Sequence, residues 1–232
     1  MKKSIIISGG SQGIGKALVK KFLENGFQVF TCARNAEKLE SLKNEFNHPL
    51  LHTFVADLSV KTQCQDFASW VLGQTKTIDI LINNAGIGDF GSIEDMPSET
   101  WEQVIKTNLF GVYYAAKAVH PFMKSKGEGD IINVASTAGL KGGPNMSAYA
   151  ASKAAVVSLS QSMMAEWRKQ NIRVVTLTPS TIASDMSIQG GLTDGNPEKV
   201  LQPEDFAEWV RDILKMNRRA LIANGSIFST NP

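Results

Sequence analysis

Short apolar runs and helix-like segments alternate along this whole chain, and that alternation leaves few folds open to it. "SIIIS" (4–8) reads as a strand, and 14–25 as a helix, because Ile14, Ala17, Leu18 and Phe22 recur at helical spacing before a Gly26 stop. "FQVFTC" (27–32), "LLHTFVA" (50–56), "IDILIN" (78–83), "GDIINVAS" (129–136) and "IRVVTLTP" (172–179) are further strands. Between them the pattern predicts helices over 36–46, 60–76, from Pro97 through Val104, over 109–126 and over 147–170. Pro203 and Glu204 open a last helix to about Met216, and "ALIAN" (220–224) reads as a final strand. Runs that are apolar throughout belong to strands covered on both faces, and strands spaced by helices belong to βαβ units. The expectation is α/β: a single doubly wound parallel sheet with helices on both faces.

Length and charge narrow the class. The 232 residues show no linker, repeat or low-complexity tract, so they are read as one domain spanning 1–232. The net charge is +2 and the basic residues cluster only as pairs, such as Lys2-Lys3 and Arg218-Arg219, so no nucleic-acid partner is expected. Cys32 and Cys64 have neither metal-ligand spacing nor a disulfide framework, and no metal is expected. The amino end imitates a secretory signal, but its apolar stretch breaks at Ser8-Gly9-Gly10. Nothing approaches the roughly 20 apolar residues of a membrane span. The expectation is a cytoplasmic protein with no membrane partner.

The same Ser8-Gly9-Gly10 break begins "SGGSQGIG" (8–15), four glycines in eight residues directly behind the first strand. Glycine gives up the most conformational entropy on ordering, so this density needs a reason. A tight turn is one. The other is a bare backbone that lets an anionic group reach the unpaired N–H groups of a helix start. Gly9-x-x-x-Gly13-x-Gly15 departs from the general dinucleotide spacing G-x-G-x-x-G, and a methyltransferase could carry such a loop. The loop supports a nucleotide-like ligand and leaves the reaction open.

That spacing resembles the short-chain dehydrogenase/reductase family, and four more stretches resemble it in the family's order. They are Asp57-Leu58 after the third strand, "NNAG" (83–86) after the fourth, Asn108 in a helix before the fifth, and Ser136 followed by "YAASK" (149–153). The resemblance runs over nearly the whole chain and is to NADP-dependent members, such as carbonyl reductases like 3-oxoacyl-(acyl-carrier-protein) reductase. It implies a Rossmann-type sheet, a small-molecule carbonyl or alcohol substrate, and a homodimer or homotetramer paired through the helices at 109–126 and 149–170. It also implies that Ser136 polarises the carbonyl and Tyr149 is the acid/base. Lys153 would contact the nicotinamide ribose, and Asn108 would hold a water in the proton relay. Tyr149 and Lys153, four residues apart on a helix, share a face, and an ammonium there would lower the phenol's pKa.

Cofactor contacts carry over in the same way. Gly9, Ser11, Gln12 and Ile14 would line the phosphate loop, and Asp57 with Leu58 would meet the adenine. Asn84, Ala85 and Gly86 would run along the adenosine, and Pro179, Ile182 and Ser184 would hold the carboxamide. The chain departs from the family at Ser180, where a glycine is usual, at Ser184, where a threonine is usual, and in its "STNP" ending. NAD-binding relatives carry an acidic residue at the end of the second strand, where this chain has Ala33, Arg34 and Asn35. A guanidinium grips a 2′-phosphate that a carboxylate would repel, so NADP(H) is the expected cofactor, with Arg34 and Asn35 as contacts. A non-catalytic NADP-binding sensor or scaffold is the alternative, although it would not need Asn108, Ser136, Tyr149 and Lys153 together. The Gly-rich stretch over about 187–200 is expected as a flap over the substrate.

Overall fold

In the computed structural model, which describes residues 2–230, seven strands form one parallel sheet in the order β3-β2-β1-β4-β5-β6-β7. The strands are β1 (Ser4–Ser8), β2 (Gln28–Ala33), β3 (Leu51–Val55), β4 (Ile80–Asn83), β5 (Gly129–Val134), β6 (Ile172–Pro179) and β7 (Asn224–Ile227). The helices are α1 (Gly13–Glu24), α2 (Ala36–Phe46), α3 (Lys61–Leu72), α4 (Ser98–Ile105), α5 (Gly111–Lys126), α6 (Ser147–Trp167), α7 (Asp185–Gln189) and α8 (Pro203–Lys215). No described helix is long and apolar enough to cross a membrane.

Successive strand residues point to opposite faces, so a strand covered on both sides must be apolar at every position. β1 shows this directly. Ile5 and Ile7 pack with Leu18 and Phe22 of α1 and Phe206 and Val210 of α8, whereas Ile6 packs on the other face with Phe67 of α3 and Val119 and Met123 of α5. The strand order reverses between β1 and β4, and β1 pairs in parallel register with both its neighbours: Ile6 lies opposite Phe30 of β2 on one side and Leu81 of β4 on the other. Crevices beyond the carboxyl ends of strands at such a switch point are where open α/β sheets bind ligands.

Two expectations on the fold need correction. The final strand is Asn224–Ile227, not 220–224. Leu221 and Ile222 are apolar because they pack on the core without joining the ladder, while Gly225 lies against Trp209, where a Cβ would come within 2.8 Å of the indole. The stretch expected as loop from Ser187 contains the end of α7, because Ser184 and Ser187 form a reciprocal capping box. Asn108 lies in a helix before β5 as expected, and the helical segment that holds it, Lys106–Phe110 between α4 and α5, is π-helical. Single π turns of this kind recur at functional sites.

Candidate active site

One cleft of about 880 Å³ opens at the carboxyl ends of β1, β2, β4, β5 and β6. Its inner edge is the glycine loop, held in a fixed shape. Thr31 Oγ1 donates to Ile7 O (2.7 Å) and accepts from Gly10 N (3.1 Å), and Gly9 N donates to Cys32 O (2.8 Å). Gly9 has φ +71°, and a Cβ there would sit 2.9 Å from Ala85 Cα, so both conformation and space exclude a side chain. At Gly15 a Cβ would overlap the Gly9 carbonyl, so the start of α1 closes directly onto the loop. The first turn of α1 therefore presents bare backbone to the cleft, which is the cradle a dinucleotide's phosphates require.

Ser136 stands just past β5, its Oγ accepting from Ala138 N (3.2 Å), and Tyr149 and Lys153 face it from α6. Lys153 is only 5% exposed and donates from Nζ to Val134 O (2.8 Å), with Nζ 5.6 Å from the centre of the Tyr149 ring. Burial brings the Lys153 ammonium down to about 8. Burial also pushes the Tyr149 phenol above its usual value, and the Ser136 hydroxyl, working the other way, offsets only part of this. The expected lowering of the phenol is not seen: loss of solvent outweighs the one opposing influence, the Ser136 hydrogen bond.

Asn108 is completely buried and all its side-chain hydrogen-bonding groups meet protein atoms. Oδ1 accepts from Ile87 N (2.8 Å), and Nδ2 donates to Ile87 O (2.9 Å) and Ser152 Oγ (3.0 Å). It fixes the loop after β4 against α6. Asn84 has a similar occupation, donating from Nδ2 to Ser8 O (3.0 Å) and Gly9 O (3.3 Å), which ties that loop to the glycine turn.

Every residue singled out in the sequence lines the cleft except Asp57 and Asn108. Asp57 Oδ1 instead accepts from Ser59 N (2.9 Å), a turn-forming bond ahead of α3. Asn35 and Ser184 line the cleft and also cap helices: Asn35 Oδ1 accepts from Lys38 N (2.8 Å) at α2, and Ser184 caps α7. Ser180 is free of strain, since among the described residues the only non-glycine ones with positive φ are Asn47, Asn145 and Asn171.

The sequence reading passed over several lining residues. Lys38 projects from the first turn of α2 to Gln12 Oε1, and it lines the cleft beside Arg34. Neither cation forms an ion pair among the described residues. Its placement three residues after a capping asparagine was the available signal. At the other end of the cleft Phe90, Leu140, Met146, Met186, Leu192 and Phe228 form an apolar wall whose members come from four separate stretches of the chain, a convergence no local pattern reveals.

Comparison with known proteins agrees with this arrangement. The chain is 34% identical over 218 residues to a 3-oxoacyl-[acyl-carrier-protein] reductase of Chlamydia pneumoniae, covering 91% of this chain and 82% of that one. Among solved structures it superimposes on the 3-ketoacyl-(acyl-carrier-protein) reductase of Brucella melitensis complexed with NADH, with TM-score 0.91 and 26% identity over 98% of this chain and 97% of that one. It also superimposes on an alcohol dehydrogenase of the archaeon Thermococcus sibiricus complexed with 5-hydroxy-NADP, with TM-score 0.90 and 25% identity over 100% and 98%. The sequence profile described as short chain dehydrogenase matches residues 3–193, from the first strand to just beyond α7, and so takes in the glycine loop, Ser136, Tyr149 and Lys153 together. With that match over most of its length and a seven-stranded parallel sheet beneath the cleft, the chain belongs to the short-chain dehydrogenase/reductase family, a family of oxidoreductases.

Proposed function

We propose that this protein transfers a hydride between NADP(H) and the carbonyl or alcohol carbon of a small-molecule substrate. The observation that carries the reading is the convergence of Ser136, Tyr149 and Lys153 on the cleft whose other end is the glycine cradle. When bound, the dinucleotide supplies or accepts the hydride. Gly9, Ser11, Gln12 and Ile14 hold its phosphates, Leu58, Asn84, Ala85 and Gly86 flank its adenosine, and Pro179, Ile182 and Ser184 hold its carboxamide. Asp57 helps only by shaping the turn beside them.

In the reducing direction Tyr149 gives its proton to the substrate oxygen, and the Ser136 hydroxyl donates a second hydrogen bond to the same atom. Burial favours the neutral, protonated phenol, which suits the donor role. Lys153 holds the ribose and supplies positive charge beside the phenol as its proton leaves. Asn108 acts through position: it fixes the loop that carries Gly86 and Ile87 against α6.

The choice of NADP(H) rests on this chain's own residues, since related structures hold different forms of the cofactor. Arg34 and Lys38 put at the adenosine end two cations that form no ion pair among the described residues, and the residues next to Ala33 in sequence carry no carboxylate. Charge-assisted hydrogen bonds contribute about 1.5–3 kcal/mol, equivalent to a preference of about ten- to over a hundredfold. Steady-state kcat/KM with NADPH and NADH, for the unmodified protein and Arg34→Ala, tests this. NADPH should be preferred by that factor and the preference mostly lost in the variant; equal efficiency with both cofactors in the unmodified protein would refute it.

A further inference from the structure

We infer that Phe90 is the specificity-determining wall of the substrate end, filling the space between α7 and Tyr149 and admitting only carbonyl compounds with a small group on that side. This rests on the proposed reading of the site, because it is Tyr149 that fixes where the carbonyl oxygen lies. The ring of Phe90 is centred 5.8 Å from that of Tyr149 and tilted by 59°, a direct contact that leaves no slot between them.

Its other sides are closed by bare backbone. A Cβ on Gly88 would come within 2.9 Å of the Phe90 ring, and one on Gly190 within 2.7 Å. Gly190 is the residue that ends α7, and its φ is −77°, a conformation any residue adopts. The backbone there does not require glycine. The space does: a Cβ would also come within 3.0 Å of Met186 O, and Phe90 is the side chain that closes the rest. Met186 of α7 completes the seat, its Sδ 3.1 Å from the same Gly88 Cβ position.

The ring is also held in place from its own loop. Ile87 is clamped through both its backbone groups by Asn108, and Gly91 N donates to Asn145 O (2.8 Å), in the segment that leads into α6. Phe90 therefore spans a short, fixed arch between two anchored points. Met146, Leu140 and Leu192 continue the wall, so the substituent facing them is apolar.

The test uses Phe90→Ala, Gly190→Ala and the double variant, with butan-2-one as the small probe and propiophenone as the bulky one. Binding of each ketone to the NADP⁺-saturated protein and kcat/KM with NADPH are both measured, and NADPH affinity by fluorescence checks that each variant is folded. A filled or emptied apolar pocket changes selectivity by about tenfold or more. Phe90→Ala should shift both ratios toward propiophenone by that amount, with NADPH affinity changed less than about threefold, well below the cost of one lost charge-assisted bond. Gly190→Ala alone should weaken both ketones, and adding Phe90→Ala should remove that loss. A selectivity shift below about threefold in Phe90→Ala, a Gly190→Ala defect that persists in the double variant, or no ketone binding by any of the proteins would overturn the assignment. Ketone binding without NADPH oxidation would instead sink the oxidoreductase reading, while the binding ratios would still judge Phe90.

Discussion

Tyr149 and Lys153 are held in an environment that each group alone would avoid. Lys153 is nearly solvent-free and has one backbone carbonyl as partner, and burial brings its ammonium from 10.5 to about 8. The folded value lies below the unfolded one. The stability linked to this group is therefore present above about 10.5 and lost as pH falls to about 8, so the charged form costs the fold on the order of 3 kcal/mol at neutral pH. Such costs gather where a site has use for them. A buried cation with a single hydrogen bond retains donors for a ribose and a field for a departing proton. Arg34 is the opposite case: it is exposed at the cleft's edge and forms no ion pair among the described residues.

At the scale of elements, the end of the sheet opposite the cleft is fastened by charge. Lys126, at the end of α5, pairs with Asp79 before β4 and with Glu128 (2.9 Å). Arg173 of β6 and Arg218 both reach Asp130 of β5, at 2.5 and 2.9 Å. Burial pushes the Asp79 carboxyl up, but hydrogen bonds from Lys126 and from Ser4 together outweigh it and hold the group below its ordinary 3.8. A depressed carboxylate contributes stability that is full above about 3.8 and lost as pH falls through the folded value. Asp79→Asn should therefore cost about 2–3 kcal/mol near pH 7, a fall in Tm of roughly 4–12 °C. Urea midpoints followed downward in pH should show the gap closing below about pH 4; a gap that stays constant would mean the carboxylate's charge is not what stabilises.

These elements were largely legible in the chain, because a strand buried on both faces must write itself as an unbroken apolar run. β7 was not, because Asn224 to Ile227 alternates between exposed and half-buried positions and reads as a polar tail, while the apolar pair before it packs without pairing. The glycine loop and the residues on α6 could be placed from spacing and resemblance. The roles of Asn35, Asp57, Ser184 and Asn108 could not, since a side chain that caps a helix and one that meets a ligand need the same oxygen or amide near the same helix start. The apolar substrate wall was invisible for a different reason: it exists only where distant segments meet.

In the whole molecule, the reversal of strand order between β1 and β4 opens one cleft that runs from the cation pair at α2 to the wall at Phe90. The outer surface bears on assembly. Of the alanines on α5 and α6, Ala115, Ala116 and Ala150 are buried within the chain, whereas Ala151 and Ala154 face outward and Phe110 and Tyr113 are 41% and 39% exposed. We propose that this outward face pairs copies of the chain as a dimer or tetramer; light scattering at micromolar concentration should show it, and only monomer would contradict it. The central claim is that Tyr149 is the proton donor of a nicotinamide-dependent carbonyl reduction. Loss of NADPH absorbance with a ketone substrate, followed in the unmodified protein and in Tyr149→Phe, tests it most directly. Turnover should fall by at least about a hundredfold in the variant while NADPH affinity stays nearly unchanged; turnover within about threefold of the parent would fall short of any general-acid contribution and contradict the claim.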